Sequence, residues 1–285
     1  MPGSLPNVTH ACFALSYLLA LAVELARLRW PRPGLRVSGL VLGAAGLFAH
    51  SLFLALRQPT PATAYGGLLV VAWVLAVFYL YGTLHDGKRA WAVFVLPLVL
   101  GLVSLAFVVA AGQAEVPLGL PWESEHRLWG ALHGIFVLCA AVGVSVGAVA
   151  SVMYLIQANR LRRKKNPLGG LKLLSLERLE TMNRRAVTLA FPFLTAGLLL
   201  GAVLLRQYHD FGDNWFSPKV LGTVGLWAVF LLLLYLRYVV HVTGRRLARL
   251  TLVAFALMLG VLVAAHPFAA GEPRPRGSGI PEGAP

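Results

Sequence analysis

AWAVFVLPLVLGLVSLAFVVAAG, residues 90–112, contains no ionisable side chain and decides the kind of fold that this chain forms. A helix needs roughly 20 consecutive apolar residues to cross the ~30 Å hydrocarbon core of a bilayer, and this segment has that length. Seven further apolar stretches lie at about 8–28, 36–56, 65–84, 128–157, 186–205, 218–240 and 249–269. Hydrophobic residues make up 58% of the chain and charged residues only 13%, unlike a soluble domain. The sequence therefore predicts an all-α integral membrane protein, a bundle of eight transmembrane helices.

Positive charge is concentrated in every second gap between these stretches. The gaps after the first, third, fifth and seventh stretches, with their flanks, hold 19 of the 25 Lys and Arg residues. Because cytoplasmic loops carry an excess of these residues, we expect both termini and the other gaps on the outer, periplasmic side. The same placement accounts for the net charge of +14, because basic residues in these gaps orient the helices and contact anionic lipid. Nucleic acid is therefore not an expected partner.

The gaps themselves are short, so a soluble catalytic domain is not expected. The longest gap, 158–185, is basic, and we predict a short surface helix near 175–183, capped by Ser175, with Arg178 and Glu180 facing solvent. The first stretch has no Lys or Arg before it and is expected to be a retained span. The predicted domains are a four-span region over 1–112, a four-span core over 113–270 and a disordered tail over 271–285.

Few side chains in the spans suggest redox or ion-coupled chemistry. Cys12 and Cys139 occur singly, without a C-x-x-C motif, and are expected to be small buried apolar side chains. Glu24 lies one turn before Arg27 and is interpreted as half of an interfacial ion pair. A proton- or cation-coupled transporter is expected to carry more acidic groups in its spans.

Histidine is the exception, because six of the eight histidines fall on or near the predicted outer face. His133 lies about 7 Å below the outer end of the fifth span at ~1.5 Å per residue, and His266 lies at a similar depth in the eighth. Two neutral imidazoles at matched depth are candidate axial ligands for haem iron. For each, an interfacial or hydrogen-bonded histidine is the alternative. His10 and His50 are interpreted as helix-packing residues rather than as a second pair of haem ligands.

The gap between the sixth and seventh stretches contains the aromatic-rich segment RQYHDFGDNWFSPK, residues 206–219. Aromatic rings suit either a membrane interface or the face of a planar ligand. The candidate rings are those of Phe211, Trp215 and Phe216. Arg206 and Lys219 are candidate partners for a carboxylate such as a haem propionate. An ordinary aromatic belt, followed by Pro218 in the first turn of the next helix, is the alternative.

Several short motifs follow one another in this half of the chain. LWGALH spans 128–133, LERL spans 176–179, AFPFLTAGLLLG spans 190–201 and GRR spans 244–246. Trp215 precedes Pro218-Lys219, and Trp227 and Arg237 follow in the next span. In order, spacing and sidedness these motifs resemble the cytochrome c assembly protein family. That family comprises the polytopic haem-handling component of system II cytochrome c maturation and its HemX-like relatives.

The resemblance implies a membrane haem-binding protein that acts in cytochrome c biogenesis and presents haem b at the outer membrane face. His133 matches the family's histidine at the start of a core span, and His266 stands where the family places its second external histidine. The implied partners are haem, the bilayer, a second cytochrome c maturation subunit and apocytochrome c. The implied location is the plasma (inner) membrane of a bacterium. The chain is not expected to be an enzyme by itself, but at most part of a haem-attachment complex.

The tryptophan-rich motif of the family, W-G-x-x-W-x-W-D-P-K-E, is degenerate here. Phe211 and Phe216 replace its first and third tryptophans, and Ser217 replaces its aspartate. A histidine that many members carry in the following helix falls near Tyr235. These departures favour a HemX-like or accessory branch. Two other hypotheses stay open: a regulator or scaffold of haem biosynthesis that acts through the basic gap 158–185, and a small-molecule transporter.

Overall fold

The computed structural model describes residues 10–30, 32–59, 64–85, 91–111, 124–163, 174–207, 218–242 and 244–264. Within these ranges the chain forms eight α-helices. They are α1 (His10–Arg29), α2 (Pro33–Arg57), α3 (Ala64–His85), α4 (Ala92–Ala111), α5 (Ser124–Arg162), α6 (Leu176–Gln207), α7 (Pro218–Tyr238) and α8 (Arg245–Ala264). Each is long and apolar enough to cross a membrane. The predicted multi-span helical membrane protein is confirmed, whereas the side of the membrane that each end faces stays a prediction.

The helices pack in two groups. In the first, α1 contacts α2 and α4, and α3 contacts α2 and α4; in the second, α5 contacts α6 and α8, and α7 contacts α6 and α8. The groups meet where α3 and α4 contact α5. The division into domains near residue 112 stays a prediction, and the predicted tail lies outside the described residues. Below, the two ends of the second group are called the His133 end and the Arg162 end.

The short surface helix predicted near 175–183 is wrong as a separate element, because these residues are the first turns of α6. Ser175 does act as the cap, since its Oγ accepts a hydrogen bond from the Arg178 N–H at 3.3 Å. Glu180 does not face solvent but forms an ion pair with Arg237 of α7. Hydropathy marks only the apolar part of a helix, and α5 and α6 continue through polar turns to 39 and 32 residues.

The prediction that both cysteines are buried is also wrong. Cys12 and Cys139 lie exposed on the surface of the helix bundle. A small apolar side chain is accommodated by lipid as readily as by a protein core, so hydropathy does not separate these two environments. The predicted ion pair is confirmed, with 3.1 Å between Glu24 Oε2 and an Arg27 guanidinium nitrogen.

Small residues bring α5 and α6 into close contact. A Cβ atom on Gly143 would lie 2.9 Å from the Cβ of Ala190, and one on Gly197 would lie 3.1 Å from a methyl of Val137. Such residues allow helix backbones to approach closely, and close packing is a main source of association between helices in lipid. The two pairs fix an antiparallel register that places His133 against α6.

A polar cluster joins α5, α6 and α8 nearer the Arg162 end. The Asn183 side-chain amide lies 2.5 Å from Ser151 Oγ, 3.2 Å from Thr251 Oγ1 and 3.3 Å from the carbonyl oxygen of Gly147. Ser151 and Thr251 are completely buried. This amide ties three helices together through hydrogen bonds worth on average ~0.6 kcal/mol each.

Replacing Asn183 with alanine is expected to lower the free energy of unfolding by roughly 1–2 kcal/mol, because the bonds to two other helices disappear together. Unfolding of the purified protein by sodium dodecyl sulfate in mixed micelles measures this change. Asn159→Ala is the matched control, since Asn159 is exposed near the end of α5. Equal losses in the two variants would show that the cluster contributes nothing beyond an ordinary surface asparagine.

Candidate functional site

His133 is partly buried on α5, and its ring is fixed by a contact with α6. Its Nδ1 atom lies 2.8 Å from the carbonyl oxygen of Gly197. Because a carbonyl oxygen can only accept, this hydrogen bond assigns the ring proton to Nδ1 and the lone pair to Nε2. A histidine that binds a metal through one nitrogen commonly donates the other N–H to a backbone carbonyl. The contact with Gly197 therefore selects the tautomer that Nε2 ligation requires.

Gly201, one helical turn after Gly197, provides the space that the imidazole occupies. A Cβ atom on Gly201 would lie 3.0 Å from His133 Cε1 and 3.3 Å from its Nδ1. Any larger residue would crowd the ring, so glycine determines where the ring lies. In the sequence both glycines belong to the motif at 190–201, without a predicted role of their own. Their four-residue spacing, which puts them on one face of α6, was the available signal.

The end of α8 lies at about the same level as His133. A methyl of Thr251 on α8 would lie 3.2 Å from a Cβ atom on Gly147 of α5. From this contact, His133 is 14 residues away along α5, and Ala264 is 13 residues away along the antiparallel α8. At ~1.5 Å per residue both distances are about 20 Å. His266 follows Ala264 by two residues but lies outside the described residues.

The other predicted site residues are only partly described. Arg206 is exposed in the last turn of α6, at the same end of the bundle as His133. Lys219 is in the first turn of α7, and its side chain lies outside the described part of the chain. Phe211, Trp215 and Phe216 also lie outside it. The grouping of these side chains around His133 therefore stays a prediction.

The motif at 190–201 also attaches α7 to α6. The Trp227 indole N–H donates to Thr195 Oγ1 at 3.0 Å, and that hydroxyl donates to the carbonyl oxygen of Phe191 at 2.9 Å. The rings of Phe191 and Trp227 stack with their centroids 5.9 Å apart. One face of this segment thus contacts α7 while its glycines contact α5.

A family model described as "Cytochrome C assembly protein" matches residues 62–263, which include nearly all of α3 to α8. The chain belongs to the cytochrome c assembly protein family. The resemblance drawn from the motifs between Trp129 and Arg246 is confirmed, and the family match begins before α3. It covers His133, Gly197 and Gly201, but it starts after His50 and ends before His266.

Several cyanobacterial relatives carry one shared name. "Cytochrome c biogenesis protein CcsA" of Synechococcus elongatus is 24% identical over 237 residues, covering 68% of this chain and 72% of the relative. The protein of that name from Synechococcus sp. (strain CC9605) is 26% identical over 286 residues, covering 88% and 90%. That from Gloeobacter violaceus is 23% identical over 243 residues, covering 67% and 70%. No solved structure matches the chain.

Proposed function

We propose that this protein acts in cytochrome c biogenesis by binding haem at the His133 end of the bundle, with His133 as an iron ligand. Membership of the cytochrome c assembly protein family supports the role in biogenesis. The observation that carries the proposed site is the fixed imidazole, with Nδ1 on the Gly197 carbonyl and Gly201 beside the ring. In this role haem is cargo, destined for a c-type cytochrome.

The described residues fit a bound haem in three respects. The Gly197 carbonyl orients the ring and makes Nε2 more basic, as outer partners of metal-binding histidines do. Glycine at 201 leaves the space that the imidazole occupies, where a Cβ atom would lie 3.0 Å from His133 Cε1. The Gly147–Thr251 contact brings the end of α8 to the level of His133, so His266 is the proposed second ligand.

The surrounding roles extend the same proposal. Phe211, Trp215 and Phe216 would supply an aromatic floor, and Arg206 and Lys219 would pair with carboxylates of haem b. Haem supplies the iron and the vinyl groups, and the attacking thiols belong to apocytochrome c. The chain thus presents haem to a partner, with a second maturation subunit alongside, rather than forming the bond alone.

The proposed location is the bacterial plasma membrane with the His133 end outside. Charge supports this orientation, because described residues 155–163, 174–185 and 235–250 at the Arg162 end contain ten arginines and two glutamates. Cytoplasmic segments carry such an excess of positive charge. The His133 end would then face the compartment in which c-type cytochromes receive haem.

An absorption spectrum of the protein purified from haem-replete cells tests the proposed function. We expect a Soret band, sharpened α and β bands on reduction, as two nitrogen ligands produce, and haem b in a pyridine haemochrome assay. A protein that is colourless, and that shows no Soret band after incubation with haem, would overturn the proposal.

The regulatory hypothesis is separated by charge. It depends on the basic gap 158–185, where Arg162 and Arg163 are exposed. Reversing the charges of these two residues together with Lys164 and Lys165 would abolish regulation through that surface. Under the proposed function the same variant keeps its Soret band, because Arg162 and Arg163 lie at the opposite end of α5 from His133.

A further inference from the structure

An open cleft, continuous with the space outside the bundle, lies between α5, α6, α7 and α8 at the Arg162 end. Apolar side chains of Leu179, Val187 and Leu233 line part of it. Three charged side chains also line it, and these are Glu180, Arg184 and Arg237. A cleft with apolar walls and charged groups suits an amphipathic ligand rather than a small ion in water.

Positive charge exceeds negative charge among the side chains that line this cleft. Arg237 of α7 is paired with Glu180 of α6, and both side chains are partly buried. Arg184 is exposed and has no carboxylate within ion-pair distance among the described residues. The cleft therefore carries one positive charge that its own residues do not balance. The described part of this end of the bundle contains ten arginines and two glutamates, and this excess of positive charge raises the electrostatic potential around the cleft.

Both arginines lie at the depth where lipid headgroups begin. The apolar part of α6 runs over 186–205, and its 20 residues span ~30 Å, the thickness of the hydrocarbon core. Arg184 lies just outside this run. Arg237 is in the last turn of α7, which has 21 residues in all. The two guanidinium groups thus occupy the interface between hydrocarbon and water.

The rim between α6 and α7 is exposed on the outside of the bundle. Thr188 Oγ1 and Tyr238 Oη lie 2.9 Å apart, and both residues are exposed. Next to them, Leu189 is 62% exposed on the outside of α6. An acyl chain that extends from the cleft would therefore meet apolar surface.

We propose that this cleft binds the phosphate headgroup of an anionic phospholipid, with Arg184 as the principal contact and Arg237, oriented by Glu180, as the second. Guanidinium groups bind phosphate oxygens through paired N–H donors. Basic pockets between transmembrane helices are known receptors for anionic headgroups. Binding of this headgroup requires neither haem nor a particular orientation of the protein in the membrane, because either leaflet can supply phosphate.

Native mass spectrometry of the full-length protein, delipidated and then incubated with phosphatidylglycerol or phosphatidylcholine, tests this site. We expect wild type to retain phosphatidylglycerol preferentially, and Arg184→Gln to retain about tenfold less, since a hydrogen bond to a charged group is lost. Arg185→Gln is the matched control, because Arg185 is the exposed neighbour and does not line the cleft. It is expected to stay within about twofold of wild type.

Three outcomes overturn the proposal. Equal losses in both variants, or no preference for phosphatidylglycerol in wild type, would mean that only general surface charge attracts lipid. Retention of added haem in place of phosphatidylglycerol, lost on Arg184→Gln, would assign the cleft to haem carboxylates instead. None of these outcomes tests iron ligation by His133, so the two sites are tested separately.

Discussion

His133→Ala is expected to lower haem retention by the purified protein about 100-fold and to reduce the yield of c-type cytochrome to background. The variant removes the Nε2 ligand itself, whereas loss of an outer partner already costs 10–100-fold in metal affinity in proteins generally. Any haem that stays bound should be five-coordinate, with a shifted Soret band. Titration of the delipidated protein with haem, followed by absorption, measures the retention and the coordination state, and haem staining of c-type cytochromes from cells that carry the variant measures the yield.

His85→Ala is the matched control for this experiment. His85 is exposed in the last turn of α3, and its Nδ1 lies 3.3 Å from the carbonyl oxygen of Tyr81 on its own helix. That variant is expected to match wild type. Added imidazole should partly restore the six-coordinate spectrum of His133→Ala, because the space left by the side chain admits it. A wild-type spectrum in His133→Ala would refute the ligand assignment, although not the family.

Gly201→Val is expected to weaken haem binding by roughly 10–100-fold without removing any ligand. The Cβ atom alone would lie 3.0 Å from His133 Cε1, and the two methyls of valine need further space. The imidazole must then move away from α6 and lose its 2.8 Å hydrogen bond to Gly197. The measurement is the haem titration together with the position of the Soret band.

Gly134→Val controls for adding the same side chain near the site. Gly134 follows His133 on α5, and a Cβ atom there would meet nothing within 4 Å. This variant is expected to bind haem as wild type does, with a similar unfolding midpoint. If Gly201→Val binds haem normally while remaining folded, the ring does not depend on that glycine, and the proposed positioning fails.

The eight spans could be predicted from sequence because lipid demands long apolar segments, and each of the eight apolar stretches corresponds to a helix. The polar ends could not be placed in the same way. Residues 176–185 continue α6 because Glu180 forms an ion pair with Arg237 of α7. These two residues are 57 apart in the sequence, and hydropathy does not reveal such a contact. Hydropathy likewise did not show that Cys12 and Cys139 lie on the outside of the bundle.

The site was predicted by residue type more readily than by contact. His133 stood out because ionisable groups are rare in spans and usually functional. Its partner Gly197 is 64 residues away, and only the register of α5 against α6 brings the two together. A glycine is visible in a sequence, but the contacts made by its backbone carbonyl, or permitted by its missing side chain, are not. For that reason the sequence identifies the two glycines as members of a motif but not as part of the site.

The packing of α6 against two helices limits how the length of this chain can vary. A residue inserted between Ala190 and Thr195 would rotate the rest of α6 by ~100° about its own axis, while α5 and α7 stay in place. Thr195 would then turn away from Trp227 and Gly201 away from His133, so both attachments would be lost at once. Substitutions can be accommodated one contact at a time, but a change in length cannot. Over the segment 190–201, residue spacing is therefore a stricter requirement than residue identity.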